Sequence, residues 1–247
     1  MKHFALLVVA ASLVYILGGV PAHAVPTIQF DKTTVDIGKH LAGEQVKLAF
    51  PFKNVGDSDL EITKVSGICG CTKAKAAAAK VASGQSSAIE AVFDSTGYTG
   101  KLTKPIIVAT NDPIHPVVRL EITADLEQIA TLEPERLNFG SLKVGVTSEG
   151  AVTITPVAGK TFKIVKVEPR GDHVRLREFT NAPDSSGAYT VKFLVVAGSK
   201  AGRISERLSI VTDLPGNPTI GFQVWGNVVD DEAATKKPTP GDSKIGV

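Results

Sequence analysis

Val46-Lys47-Leu48-Ala49-Phe50-Pro51-Phe52-Lys53 places Val, Leu, Phe and Phe on one side of an extended chain and Lys, Ala, Pro and Lys on the other. Period two is the mark of a strand with one buried and one wet face. The phase returns further along the chain. Displaced by 102 residues, the sequence matches itself without a gap. Val35, Ile37, Gly38 and Gly43 fall on Leu137, Phe139, Gly140 and Gly145. Phe50 and Phe52 fall on Val152 and Ile154, and Leu60, Ile62 and Val65 on Phe162, Ile164 and Val167. Ile89, Ala91 and Phe93 fall on Val191, Phe193 and Val195. Gly100, Leu102, Ile106 and Val108 fall on Gly202, Ile204, Leu208 and Ile210, and Leu120 and Ile122 on Phe222 and Val224.

That period is too long for a solenoid unit and matches one immunoglobulin-like sandwich of roughly 100 residues. The alternation in Leu102/Ile106/Val108 and Val118/Leu120/Ile122 points to antiparallel sheets with one face packed. Turn signals at Asn54-Val55-Gly56-Asp57, Ser83-Gly84, Thr96-Gly97 and Asn111-Asp112-Pro113 separate the strands. The expectation is an all-β chain of two tandem immunoglobulin-like β-sandwich domains, each with seven or so strands. Pro51 and Pro105 interrupt strand patterns, which predicts edge strands or bulges there. Residues 73–81, rich in Ala, are read as either a helix or a loop.

The ends carry different signals. Lys2 and His3 precede residues 4–20, which hold no charge, and Pro21-Ala22-His23-Ala24 supplies small residues at both positions read by signal peptidase. This order predicts an N-terminal signal peptide cleaved after Ala24, with an uncleaved anchor as the alternative. No Cys stands at the cleavage point, which argues against a lipoprotein. The expected organisation is signal peptide 1–24, first domain 25–128, second domain 129–229, and a disordered polar tail 230–247. The linker falls near 125–130. Removal of the leader takes away one Lys and no acid, so the net charge falls from +2 to +1. Neither a basic stripe for nucleic acid nor a polybasic patch for lipid is present. Past Ala24 no apolar run is long enough to span a bilayer. The only Met is Met1, which excludes a Met-rich copper carrier.

Domain one contains Phe50-Pro51-Phe52-Lys53-Asn54-Val55-Gly56, then Leu60-Glu61-Ile62, Cys69-Gly70-Cys71-Thr72, Gly100, and Thr110-Asn111-Asp112-Pro113. This ordered set resembles the bacterial exported family catalogued as domain of unknown function 1573, itself similar to the immunoglobulin-like modules of Hydin and centrosomal proteins. The shared signature is F-x-N-x-G, L-x-I, C-G-C-T, G and T-N-D-P. The resemblance covers residues 30–124 well and residues 132–228 as a degenerate copy. Ser83-Gly84-Gln85 departs from an expected Pro-Gly. Pro156 and Gly171-Asp172-His173 show that the second copy has lost the Asn and the Cys pair. The resemblance implies a fold and an exported compartment, with no activity to carry over.

Cys69 and Cys71 are the only cysteines. On an extended strand they would point the same way, about 6–7 Å apart. Three readings stand: a disulfide closing a very small ring, strained and easily reduced; a soft-metal site for copper(I) or zinc, needing further ligands such as His40 or His115; and two small apolar fillers at a tight Gly70 turn. The mature chain holds three His, at 40, 115 and 173. No nucleophile elbow, His-Glu-x-x-His or phosphate loop accompanies them. Asn111-Asp112-Pro113 has too few oxygen ligands for a calcium loop. Trp225, the sole Trp, has outward parity in its strand and is a candidate partner contact.

These features favour a non-enzymatic binding or structural module of the cell envelope, periplasmic or secreted. It would engage a protein partner through edge strands or loops and carry no cofactor. The alternative is a thiol-redox or copper-handling protein built on Cys69 and Cys71.

Overall fold

The computed structural model describes residues 24–230. The expected leader before Ala24 and the tail beyond Asp230 lie outside the described residues. Within them the secondary structure is strand, and the strands form two sandwiches. One sheet of the first sandwich runs in the order β1 (Ile28–Phe30), β3 (Gln45–Asn54), β7 (Ser86–Asp94), β5 (Thr72–Ala76). The facing sheet runs β2 (Thr34–Leu41), β9 (Val117–Glu127), β8 (Gly100–Thr110), β4 (Leu60–Gly67), β6 (Lys80–Val81). In the second sandwich one sheet is β10 (Ala130–Glu133), β12 (Thr147–Pro156), β15 (Tyr189–Val196), β14 (Val174–Phe179). The other is β11 (Arg136–Lys143), β17 (Thr219–Val229), β16 (Gly202–Thr212), β13 (Ile164–Arg170).

The sequence repeat becomes a structural one. β2, β3, β8 and β9 recur as β11, β12, β16 and β17 with both bounds displaced by 102 residues. The apolar phase fills two separate cores. Phe50, Ile89, Phe93, Ile106 and Leu120 are fully buried in the first, and Val152, Val191, Phe193, Leu208 and Phe222 in the second. Each Phe so buried contributes about 1.5–3 kcal/mol relative to exposure.

Several expectations are corrected. The described strands number nine and eight against the seven or so expected, with the short strands β1 and β6 adding edges to the first sandwich and β10 to the second. Residues 73–81 form no helix: they finish β5 and supply β6. β2 pairs with β9, and β11 with β17, in parallel, so the sheets are not purely antiparallel. Both parallel pairs are broken by a register shift at a matched glycine, Gly38 (φ 74°) and Gly140 (φ 64°). A left-handed residue is what such a bulge needs. Pro51 and Pro105 lie in interior strands, and the one register shift in the pairing of those strands, between Ile62 and Lys64 of β4 against β8, does not fall on them. Pro51 accepts a hydrogen bond from Asp31 N at 3.1 Å just past the end of β1, and Pro105 lies one residue beyond the last β8 residue paired with β4. A short neighbouring strand thus accommodates each proline where an edge was expected.

The sandwiches touch beyond the linker. Leu126 is buried in the first core and Ile129 in the second. Thr219 N donates to Gly43 O at 2.9 Å. Gly43 has φ +97°, and a Cβ there would sit 2.2 Å from Thr219 O. Leu41 packs on the second core. Gly145, the repeat partner of Gly43, has open space around it, so only the first copy of this glycine is fixed by domain contact.

Candidate functional site

The Cys pair lies in the turn from β4 to β5. Cys69 and Cys71 are joined in a disulfide with Cα atoms 5.2 Å apart, closer than an extended strand allows. Thr72 N donates to Cys69 O at 3.3 Å, and Asp94 N to Cys71 O at 2.8 Å, so the turn is tied to the end of β7. Both sulfurs lie within 4.0 Å of Thr72 Oγ1. Cys71 packs on the first core, and both residues are half-buried. Free thiol fillers are therefore not what the turn contains. The tight-turn role expected of Gly70 also shifts. Gly70 is exposed and a Cβ there meets nothing, whereas a Cβ on Gly67 would lie 2.3 Å from Thr72 O. The close approach of β4 to β5 falls on Gly67, which sequence reading passed over.

The structure does not bring the histidines to the sulfurs. His40 Nδ1 is 2.7 Å from Glu44 Oε2, His115 Nδ1 is 3.2 Å from Asp112 Oδ2, and His173 Nδ1 is 2.9 Å from Val196 O. Among the described residues no three His, Cys, Asp or Glu converge as a metal set would.

The other signature residues serve the backbone. Asn54 is buried; its Oδ1 accepts from Thr27 N and Gly56 N, and its Nδ2 donates to Ser58 O and Val81 O. All four hydrogen-bonding positions of its amide are filled. Asn111 Oδ1 accepts from Glu61 N, and its Nδ2 donates to Asp59 O. Asp112 is buried and accepts from Ile28 N, Ile114 N and His115 N at 2.9, 2.8 and 3.1 Å. Burial opposes its ionisation, but the hydrogen bonds from Ile28, Ile114 and His115 outweigh it and hold the carboxyl below its ordinary pKa. Asn111-Asp112-Pro113 is thus a backbone clamp with its oxygens already engaged.

The second sandwich lacks these residues and holds its equivalent turn differently. Gly171-Asp172-His173 takes the place of Cys69-Gly70-Cys71. Glu206, buried on β16, accepts from Asp172 N and His173 N through Oε1 at 2.9 and 2.7 Å, and from Val174 N through Oε2 at 2.9 Å. A carboxylate replaces a disulfide as the staple. The signal was present in the sequence: Glu206 shares parity with the buried Ile204 and Leu208, a charge on the apolar face of its strand. Its counterpart in the first copy is Lys104, whose ammonium lies 3.6 Å from the Tyr98 ring centroid.

Trp225 alternates with buried Val224 and Gly226 and is half-buried. The Arg136 guanidinium lies 5.8 Å from its ring centroid, and its Nε1 is covered without a hydrogen-bond partner. Between the sandwiches lies a polar cleft of about 530 Å³, with Gly70 and Lys73 on one wall and Arg170, Arg207 and Gln223 on the other. The disulfide turn therefore faces the second sandwich.

No curated protein matches the sequence. A protein of unknown function from Porphyromonas gingivalis W83 is similar at 13% identity, over 81% of this chain and 98% of that one, with a TM-score of 0.34. The VesB protease of Vibrio cholerae is similar at 14% identity, over 40% of this chain and 31% of that one, with a TM-score of 0.35. The ASH / PapD-like domain 7 of human CEP192 is similar at 9% identity, over 48% of this chain and 98% of that one, with a TM-score of 0.36. Residues 28–126, which span the first sandwich with its clamped turns, match the model of the family described as Protein of unknown function (DUF1573).

Proposed function

We propose that this protein is an exported, non-enzymatic binding or structural module of the cell envelope, engaging a protein partner through the loops and strand edges of its sandwiches. The observation that carries this reading is where the signature's polar groups go. Asn54, Asn111 and Asp112 direct their side-chain hydrogen bonds at backbone groups of their own sandwich. A catalytic residue needs a free, aimed functional group, and these are committed. What faces outward instead is loop and edge. Val55 and Ile114 are 47% and 71% exposed in two turns that both hold the segment leading into β1. Lys73 and Lys75 on the edge strand β5 oppose indiscriminate pairing, which favours the loops as the contact.

Photocrosslinkers placed at Val55, Ile114 and Lys75 in the native envelope test the reading. A discrete protein adduct from the loop positions, retained in the Cys69→Ser/Cys71→Ser protein, is the expected result. Absence of any adduct, with a cellular defect in the double Ser variant, would instead favour the thiol-redox alternative, for which the disulfide at the cleft rim is the supporting observation.

A further inference from the structure

The segment just past the expected cleavage point is docked residue by residue. Val25 N donates to Asp57 Oδ1 at 2.6 Å, and Asp57 N returns a bond to Val25 O at 3.1 Å. Val55 N donates to Thr27 O at 2.9 Å, and Thr27 N to Asn54 Oδ1 at 3.3 Å. The chain lies so close to the turn that a Cβ on Gly56 would come within 2.3 Å of Val25 O. The Asn54-Val55-Gly56-Asp57 turn thus forms a cradle for residues 25–27. Its one carboxylate stands at the nitrogen of residue 25.

We propose that Asp57 is the binding site for the α-ammonium group created when the leader is removed. The inference rests on the export reading above. Hydrolysis of the Ala24–Val25 peptide bond leaves the new carboxylate on Ala24, with the leader, and the Val25 nitrogen as an ammonium. In the uncleaved chain that nitrogen is a neutral amide donating one hydrogen bond. After cleavage it carries a full charge on the same atom, against the same oxygen, and the bond becomes charge-assisted. Two independent observations meet on one atom. Ala22-His23-Ala24 marks the Val25 nitrogen as the one released, and the folded turn places a carboxylate oxygen against that nitrogen. Cleavage one residue earlier or later would put the ammonium out of register with Asp57. Val25 is 40% exposed, so the pair meets solvent and its strength is that of a well-oriented surface ion pair. Processing thereby tightens the closure of the β1 end of the first sandwich.

The test uses full-length protein recovered from cells that process it. Intact mass identifies the N-terminal residue, and an NMR titration follows the α-amine. The expected result is a chain starting at Val25 whose α-amine pKa is raised by roughly 0.2–0.7 unit above its ordinary value of about 7.7–8.0. Asp57→Asn keeps an acceptor oxygen and removes only the charge, and should return the pKa to the ordinary range. A chain engineered to retain Ala24 as its first residue should show the same loss of shift. A Val25 amine that titrates identically with Asp57 and with Asn would overturn the inference and leave export standing. A mature chain that retains Met1 would overturn the export reading itself.

Discussion

Glu206→Ala is the perturbation that most directly probes how the second sandwich closes its β13–β14 turn. The carboxylate accepts three backbone N–H groups at 2.9, 2.7 and 2.9 Å. Hydrogen bonds to a charged group contribute about 1.5–3 kcal/mol each when buried. The three do not add in full. The amides of Asp172 and His173 are partly open and recover bonds to water, whereas Val174 is buried and its amide is left unpaired. The expected loss is about 2–4 kcal/mol for Ala. Gln keeps one acceptor oxygen and forfeits the charge, so its expected loss is about 1–2 kcal/mol. The sole Trp, Trp225, pairs in register with Ser205 on the strand that carries Glu206, so its fluorescence reports this sandwich. In urea the Ala variant should unfold at a midpoint lower by on the order of 1–2 M, with Gln between Ala and the parent. A loss below about 1 kcal/mol for Ala would show that the turn is held without the carboxylate, and a Gln variant as stable as the parent would show that its charge is not used.

Other substitutions separate the remaining parts. Asp112 has a lowered folded pKa, so its contribution is present above its unfolded pKa of about 3.9 and is lost as pH falls through the lower folded value. Asp112→Asn should destabilise the first sandwich at neutral pH and flatten this acid limb, and an unchanged limb in a pH series of urea melts would count against the clamp. Cys69→Ser with Cys71→Ser opens a ring whose half-cystines are separated by only two positions. So short a loop removes little unfolded-state entropy, and thermal melting should move by less than that of Glu206→Ala; a larger drop would make the disulfide the main staple of its turn. Gly43→Ala forces a Cβ within 2.2 Å of Thr219 O at a positive φ. Hydrogen exchange at the Thr219 amide should accelerate while both cores stay protected, and unaltered Thr219 protection would mean that the domain contact does not depend on Gly43.

What the sequence discloses and what it withholds follow from the range of the forces involved. Phe50 and Phe52 announce their strand because burial repeats every second residue, and the copy at Val152 and Ile154 repeats it again. Parity sufficed to separate the faces of β8, β9, β16 and β17. The parallel pairing of β2 with β9 was not legible, since parallel and antiparallel neighbours impose the same alternation. Pro51 and Pro105 misled for a related reason. A proline reveals that one N–H is missing, while the length of the neighbouring strand, which decides whether that N–H is needed, is set elsewhere in the chain. The disulfide was one of three open readings because spacing alone does not say whether two Cys lie on a strand or across a turn.

The polar residues expose the same limit more sharply. Asp112 and Asn111 look, in one dimension, like an incomplete cation loop; in three, their oxygens are taken up by Ile28, Glu61, Ile114 and His115 amides from three segments. The second sandwich shows why such residues identify a family without identifying a reaction. It keeps the apolar phase of the first copy, discards Asn54 and the Cys pair for Pro156 and Gly171-Asp172-His173, and still closes the corresponding turn by sending Glu206 across from β16. A residue committed to chemistry has no such substitute, because the reacting group must be of one kind in one place. A residue committed to holding a turn can be replaced by any group that satisfies the same amides. The exchange of a disulfide for a buried carboxylate between two copies of one fold shows that this turn closes without the Cys pair, so closing the turn does not by itself explain why the first copy carries it.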